Sequence, residues 1–475
     1  MAASIETQAH APWAVRICCT GLLFTALQLP AQARAWQDPP ATALPEVAAE
    51  PAVRVPTPPE AAAASSASAA PSGAPAKSSP ADAWETPHYD KGFVLVSAPA
   101  SFELPFRLML KHVSQLKYTN TLAVESTFTD HFGNEHEVLR RHDIQLTRDV
   151  FYFSGYVFDR KLDFNILLYT SSVTLTATAA GYIGYSFDKA FALRMGFFSL
   201  PSLRAMTGTY PFFQGTDRSM ATNYMRPGFT QGIWAEGEPL PGLNYIAMLG
   251  NSLNTLDITA AHIDTDFAYS ATVWYDFNAF GRAWNDYDNH EEPAFRVGTA
   301  FTFAREDRLS DLSTASPENN STYISDGTLL FGTGALAPNA TIERANFFLL
   351  AVDAGFKLRG LALNVELYQR WLNDFDADAA LPLSSLHDWG FEASAGYFVL
   401  TSYLEVYART SLIHGRFATS YEGAGGVNWY PFHTGQAWIN LEAVGIERSP
   451  FGGTLYVYSA GQTGFLLQSQ FLLRI

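Results

Sequence analysis

Positively charged side chains concentrate in the segment from 200 to 228. Its charged residues are Arg204, Asp217, Arg218 and Arg226. A loop folded into a channel, with its arginines facing acidic wall residues, creates a transverse field, and such rings of charge set ion preference in pores. The alternative is a surface loop whose arginines pair locally with Asp217 or Glu236. The segment is therefore a candidate ion-selective constriction.

Carboxylates cluster in two other segments. NDYDNHEE contains Asp286, Asp288, Glu291 and Glu292, and NDFDADAA contains Asp374, Asp376 and Asp378. Alternating carboxylate oxygens are suitable ligands for calcium, yet neither segment has the glycine that an EF-hand loop carries at its sixth position. Solvated acidic loops are the alternative interpretation, and we predict no bound metal and no cofactor.

Three catalytic or phosphate-binding motifs are absent from the sequence. The sequence contains no G-x-S-x-G, no H-E-x-x-H and no phosphate-binding P-loop. Its 11 histidines are scattered, and His414 and His433 fall near predicted strand ends or turns. A hydrolase built on a barrel would need a histidine beside a serine and an orienting polar group. We therefore predict that the protein is not an enzyme.

The elements that position these side chains are indicated by a two-residue alternation. In LALNVELYQRW, one face carries Leu361, Leu363, Val365, Leu367 and Trp371, and the other carries Asn364, Glu366 and Arg370. Side chains on a strand alternate between its faces, so this stretch is predicted to be a strand with an apolar and a polar side. The same pattern recurs at 191–198, 294–303, 349–360, 403–412, 436–443 and 464–475.

Strand and connection lengths separate a membrane barrel from a secreted all-β sandwich. The runs have about 9–11 residues, as a tilted membrane strand requires. Connections are very short at Asp159-Arg160 and Arg359-Gly360, and long at 119–140, 200–226, 278–293, 305–343 and 373–387. Short turns at one end and long loops at the other are typical of outer-membrane barrels. We predict an all-β fold, a transmembrane antiparallel β-barrel of about 16 strands (roughly 14–18), which leaves an aqueous channel.

Composition limits the partners of the protein. The 475 residues carry a formal net charge of −16, which argues against nucleic acid as a partner. Only 7 of the 30 basic residues are lysines, unlike the Lys/Glu-rich surface of most soluble proteins. We expect the barrel surface to contact outer-membrane lipid instead.

Three segments divide the chain. Residues 1–35 contain an apolar run, ICCTGLLFTALQLP, followed by the small-residue site ARA, and are predicted to be a cleaved signal peptide. Residues 36–90, rich in Ala, Pro and Ser, are predicted to be a disordered linker, and 91–475 the barrel. Both cysteines, Cys18 and Cys19, fall in the signal, so the mature chain lacks cysteine, which suits an oxidising compartment.

Three stretches resemble, in their order along the chain, the phosphate-selective porin family of bacterial outer membranes, the porin O and P type. They are FALRMGFFSLPSLRA at 191–205, GFEASAGYFVLTSYLEVYARTSLIHG at 390–415 and GAGGVNWYPFHTGQAWINLEA at 423–443. The first looks like the family's strand that leads to an inward-folded loop. The resemblance covers roughly 92–475 and implies a homotrimeric porin for small solutes or anions.

Two departures from the family pattern bear on function. Phosphate-selective members carry lysines around the constriction, whereas the matching segment here has none. Many outer-membrane barrels end in Phe, which the barrel-assembly machinery reads, whereas this chain ends Arg474-Ile475 after an alternating last strand. We expect the same assembly partner but leave phosphate selectivity open.

The predicted function is passive diffusion of small hydrophilic solutes or ions across an outer membrane, with weak anion preference. The alternative is a plugged structural or adhesive barrel whose acidic loops bind cations or partners. The residues predicted to line the pore or its constriction are Arg194, Arg204, Asp217, Arg218, Arg226, Arg296, Asp353, Lys357, Asn364, Glu366, Arg370, Glu405 and Arg409.

Overall fold

The computed structural model describes residues 84, 87–99, 102–256, 263–308, 322–452 and 457–475. The predicted signal peptide lies outside the described residues, and so does the predicted linker up to residue 83. The last residues of the predicted linker form a short strand that pairs with Phe93 and Val94.

Most of the described residues lie in β-strands. The strands are β1 (His88–Tyr89), β2 (Phe93–Ser97), β3 (Phe106–Val124), β4 (Thr127–Thr129), β5 (Glu135–Glu137), β6 (His142–Val157), β7 (Asp159–Ser171), β8 (Thr176–Ser186), β9 (Ala192–Ser199), β10 (Phe229–Leu240), β11 (Leu243–Gly250), β12 (Ala268–Phe277), β13 (Ala294–Asp307), β14 (Ile342–Leu358), β15 (Leu361–Ala377), β16 (Ser385–Leu400), β17 (Leu404–His414), β18 (Thr419–Trp429), β19 (Ala437–Glu447) and β20 (Gly464–Arg474). A 3₁₀ turn (Arg204–Met206) and one short helix, α1 (Met220–Met225), lie between β9 and β10.

Sixteen of these strands, β3 and β6 to β20, form a closed antiparallel barrel. Each strand pairs with the next, and β20 closes the barrel on β3, with Phe471 opposite Leu116. β2 pairs with the first part of β3, and β1 pairs with β2. β4 and β5 form a separate hairpin. The predicted fold class and strand number are therefore confirmed.

The alternation predicted from the sequence corresponds to the two faces of the barrel. On β15, Leu367 is 53% exposed on the outside, whereas its neighbour Glu366 is 1% exposed on the inside. Large apolar side chains such as Val297 and Leu441 cover the outside of other strands, as lipid contact requires. Among the described residues, no helix has the length and apolar character to cross a membrane.

Turn geometry agrees with the prediction at one hairpin and differs at another. Arg359 and Gly360 have φ angles of +48° and +84°, the positive values that a tight two-residue hairpin turn requires. Between β6 and β7 the turn is centred on Phe158, with φ of +67°, because Asp159 already pairs with Val157. The turn predicted at Asp159-Arg160 was therefore misplaced.

Several strands are longer than predicted. β3 has 19 residues and β15 has 17, so the connection after β15 is 378–384 rather than 373–387. Asp374 and Asp376, predicted to lie in an acidic loop, belong to β15. Backbone pairing continues there beyond the regular apolar alternation, so that alternation marks only part of the strand.

Connections define two ends of the barrel. The short-turn end holds the turns at 241–242, 359–360 and 401–403, together with the end of β20. The long-loop end holds the connections at 125–141 and 200–228. One connection departs from the predicted division, because the long segment 278–293 joins β12 to β13 at the short-turn end.

Candidate functional site

The segment 200–228, hereafter the 200–228 loop, folds inward between β9 and β10. Apolar side chains such as Leu203, Met220 and Met225 are fully buried in the main hydrophobic cluster. Ser219 caps α1 by accepting a hydrogen bond from the Thr222 N–H at 3.1 Å, as N-cap serines do. In this loop only Gly208 is exposed, so the loop packs against other parts of the protein along its length.

Arg204 connects the loop to the inner face of β15. Its backbone N–H donates to Glu366 Oε1 at 2.8 Å, and its guanidinium Nη1 donates to Asn364 Oδ1 at 2.8 Å. The guanidinium carbon also lies 4.3 Å from the ring centroid of Trp284. The arginine is 2% exposed. Three sequence-predicted residues are thus brought together, as loop-to-wall contacts.

Asp217 makes the opposite kind of contact, an acidic loop residue with basic wall residues. Its Oδ2 lies 2.8 Å from Arg148 Nη1 on β6 and 3.6 Å from Lys117 Nζ on β3. The neighbouring Arg218 donates to the Ala205 carbonyl at 3.3 Å and lies over the Phe213 ring. The sequence predicts loop arginines that face acidic wall residues, and at Asp217 the charges of loop and wall are the other way round.

Helix α1 is held by carboxylates of β16 and β18. The Met220 N–H donates to Glu422 Oε2 at 2.7 Å, and the Thr222 hydroxyl donates to Glu392 Oε2 at 2.6 Å. Arg226, which follows the helix, is half-buried and donates to Asn223 Oδ1 at 3.2 Å. These carboxylates serve as acceptors for the loop.

Other predicted wall residues are also engaged. Arg370 contacts Asp388 at 2.6 Å, and Arg409 lies between Glu422 at 2.6 Å and Glu442 at 2.7 Å. All five side chains are at most 8% exposed. Buried opposite charges need partners at this distance to offset the cost of desolvation.

The remaining predicted residues of this wall also have close hydrogen-bond partners. Arg296 Nε donates to Asp353 Oδ1 at 2.7 Å, and Lys357 Nζ donates to the Phe280 carbonyl at 2.8 Å. Glu405 accepts from the Gln214 side chain at 2.8 Å. We call the inner faces of β13 to β20 the packed sector, because loop residues cover their polar side chains.

The segment 278–293, hereafter the 278–293 loop, also covers the packed sector. Trp284 is 6% exposed, and its carbonyl accepts from Asn364 Nδ2 at 2.8 Å. Asn285 donates to Tyr430 Oη at 2.8 Å and to Glu405 at 3.1 Å. The sequence predicts an acidic, solvated loop here: Asp288, Glu291 and Glu292 are exposed, whereas Asp286 is buried. The segment also contains three aromatic residues, Phe280, Trp284 and Tyr287, and these indicate that part of it is buried.

The inner faces of β7 to β9, which we call the open sector, retain contact with solvent. Arg194 on β9 is 17% exposed and pairs with Asp163, 24% exposed, at 3.3 Å. Arg194 also pairs with Glu236 of β10, 27% exposed. Its guanidinium lies 4.9 Å from the Tyr182 ring. Charged side chains in this sector are therefore both paired and hydrated.

Three cations gather at the short-turn end of the lumen. Lys111 of β3, Arg474 of β20 and Arg282 of the 278–293 loop lie close enough for their charges to repel one another. Asp90, the nearby carboxylate, already pairs with Arg107 at 2.7 Å. Within the described residues, none of the three cations has an ion pair with a carboxylate. No sequence pattern indicates this group, because its members come from three separate elements.

One group of carboxylates in the described part of the chain is close enough to hold a cation. Among the described residues, the acidic side chains whose oxygens lie within 4.8 Å of one another are Asp264, Asp266 and Asp307. Burial raises the pKa of Asp264. Arg344 pairs with Asp307 and partly neutralises the group. Neither predicted acidic segment contributes to it.

Comparisons with known proteins give structural neighbours only. A scan against protein-family models gave no match, and a comparison with curated protein sequences gave none either. The chain is similar to the anion-selective porin from Comamonas acidovorans, with 12% identity, a TM-score of 0.48, and 78% of this chain and 99% of that one covered. It is similar to outer-membrane OmpT of Vibrio cholerae, with 10% identity, a TM-score of 0.49, and coverage of 79% and 98%. For the outer membrane channel DcaP of Acinetobacter baumannii the values are 9%, 0.47, 78% and 97%.

Proposed function

We propose that the protein is an outer-membrane porin through which small hydrophilic solutes or ions diffuse passively. The observation that supports this most directly is a closed barrel of 16 strands with an apolar outside and a charged inside. Lipid accepts such an outer face, and a barrel of this size has room for an aqueous path. The proposal involves no catalytic group and no cofactor.

In this proposal the 200–228 loop forms the constriction. It covers the packed sector, so the aqueous path runs along the open sector, past Asp163, Arg194 and Glu236. Asp217 and Arg409 hold the loop or its wall in place, because their charges are matched by close partners. Arg204 does so through its hydrogen bonds to Glu366 and Asn364. Arg226, which is half-buried, borders the path from the loop side, whereas the buried Arg218 packs within the loop.

We also propose a weak anion preference. The acidic net charge of the chain does not decide this, because local charge acts on an ion in a narrow, low-dielectric lumen. Paired charges in the packed sector largely cancel one another. Lys111, Arg282 and Arg474 form no ion pair with a carboxylate in the described part of the chain, so they leave excess positive charge at the short-turn mouth of the lumen.

Reversal potentials in a salt gradient across a planar bilayer test this proposal. The wild-type protein should open steady channels with a weak anion preference. Replacing Lys111, Arg282 and Arg474 together by Gln should shift the reversal potential toward cations. Lys189→Gln, which removes a cation on the exposed rim at the same end, is the matched control and should shift it little.

The runner-up is a barrel plugged by its own loops, with a structural or adhesive role. Two inserted loops over one half of the wall favour it. Absence of channels from correctly folded wild-type protein would support the plugged barrel and overturn the porin. The homotrimer and the barrel-assembly machinery as partner stay predictions, and the mass of the detergent-solubilised complex measures the first.

A further inference from the structure

The 278–293 loop is far longer than the connection it makes. β12 and β13 are adjacent antiparallel strands, with Phe277 directly opposite Phe295, and two residues suffice to join such strands. The loop instead runs from residue 278 to residue 293 and contacts the inner wall of the barrel. This extra length calls for an explanation other than chain connection.

The loop crosses the short-turn end of the lumen. It starts beside β13 and reaches Glu405 of β17, Ser402 before it and Tyr430 after β18. Neighbouring strands are about 4.8 Å apart, so a reach from β13 to β17 covers roughly 19 Å along the wall. The loop therefore covers the packed sector at this end.

Trp284 joins this loop to the 200–228 loop, which enters from the opposite end. The Trp284 backbone N–H donates to the Phe212 carbonyl at 3.1 Å. The Trp284 ring packs with Ala205 and Phe213 in a buried cluster. The Arg204 guanidinium lies over the same ring. Trp284 is thus packed between the two inserted loops.

Polar contacts hold the 278–293 loop to the barrel rim. Asp286, whose side chain is fully buried, accepts from the Gly360 N–H at 2.8 Å and contacts His290. The Arg359 N–H donates to the His290 carbonyl at 2.7 Å. Buried polar groups satisfied in this way fix a loop in one arrangement.

We propose that the 278–293 loop, through Trp284, is a second barrier that sets the size limit for solutes from the short-turn end. The inference rests on the proposed porin function and adds a specificity-determining residue to it. In this arrangement solutes pass the 200–228 loop and then leave through the part of the mouth that the 278–293 loop does not cover. The two barriers act in series.

The test replaces residues 283–287 by the same number of Gly and Ser residues, in parallel with the single substitution Trp284→Ala. Single-channel conductance and the uptake of uncharged sugars of increasing size into proteoliposomes are measured. The replacement should raise conductance severalfold and admit larger sugars, and Trp284→Ala should do the same to a lesser degree. Asp288→Ala, at an exposed position of the same loop, is the matched control and should change neither quantity.

The outcomes separate this inference from the porin proposal. A conducting wild-type protein whose folded replacement variant keeps the same conductance and sugar limit overturns the second barrier alone. A silent wild-type protein with a conducting replacement variant supports the barrier and overturns passive diffusion in the native state. Silence of both, with folding shown by heat-modifiable migration on gels, overturns both.

Discussion

The packed and open sectors of the lumen are built from the same kind of strand but have different surroundings. On β17, Arg409 is 8% exposed and lies between two buried carboxylates. On β9, Arg194 also lies between two carboxylates, but its side chain and theirs are 17–27% exposed. An inward-facing charge is therefore a structural contact where a loop covers it, and it stays in contact with water where no loop does.

Removing one arginine from each sector should have very different effects on stability. Arg409→Met should cost about 3–5 kcal/mol, because Glu422 and Glu442 would stay buried without their counter-charge. Arg194→Met should cost at most about 1 kcal/mol, since Asp163 and Glu236 can be hydrated. Urea unfolding in lipid vesicles, followed by tryptophan fluorescence, measures both losses.

Equal losses for the two arginines would contradict the distinction between the sectors. Arg194→Met should have a second effect that Arg409→Met lacks in any folded fraction. It should shift the reversal potential toward cations, because a positive charge beside the proposed path is removed.

The faces of the strands could be predicted from the sequence, and the sectors could not. Alternation between lipid and lumen is a local pattern, so Leu367 and Glu366 were assigned correctly from neighbouring residues alone. Which inward residues are covered depends on loops distant in sequence, such as Asp217 against Lys117 on β3. No local pattern encodes such a contact.

The inward path of the 278–293 loop shows a second limit. Its four acidic residues suggested a solvated loop, yet Asp286 is 1% exposed and bonded to the backbone of Gly360. A carboxylate is a good acceptor for unpaired N–H groups at a turn, so acidity alone does not indicate solvation. The aromatic residues Phe280, Trp284 and Tyr287 were the better guide to burial.

A second pair of substitutions adds bulk and charge to matched asparagines. Asn364→Arg in the packed sector should cost about 1–3 kcal/mol through overpacking, because Asn364 is 5% exposed and already bonded to Arg204. Asn165→Arg on β7 in the open sector should cost less, because Asn165 is only half-buried, and should alter conductance. Heat-modifiable folding on gels and single-channel recordings measure the two effects. Full tolerance at both positions would mean that the 200–228 loop does not pack on β15.

The smallest expected difference comes from removing one hydroxyl in each sector. On β15, the Tyr368 hydroxyl lies 3.1 Å from the Thr222 hydroxyl and donates to Glu366 Oε2 at 3.2 Å. Tyr368→Phe leaves that buried carboxylate with one donor fewer, at a cost of about 1–3 kcal/mol. Tyr182→Phe on β8 removes a hydroxyl that shares a hydrogen bond with the neutral Asn165 at a half-buried position, so it should cost less, about 0.5–1 kcal/mol.

The two phenylalanines keep both rings, so the comparison isolates the hydroxyl. The stacking of Arg194 on residue 182 should persist, because the contact depends on the ring face rather than on the hydroxyl. Urea unfolding midpoints of the two variants give the difference directly. Its sign decides the point: if Tyr182→Phe were the more damaging change, water would be excluded from the open sector as well. A solute path along β7 to β9 would then have no hydrated wall to follow.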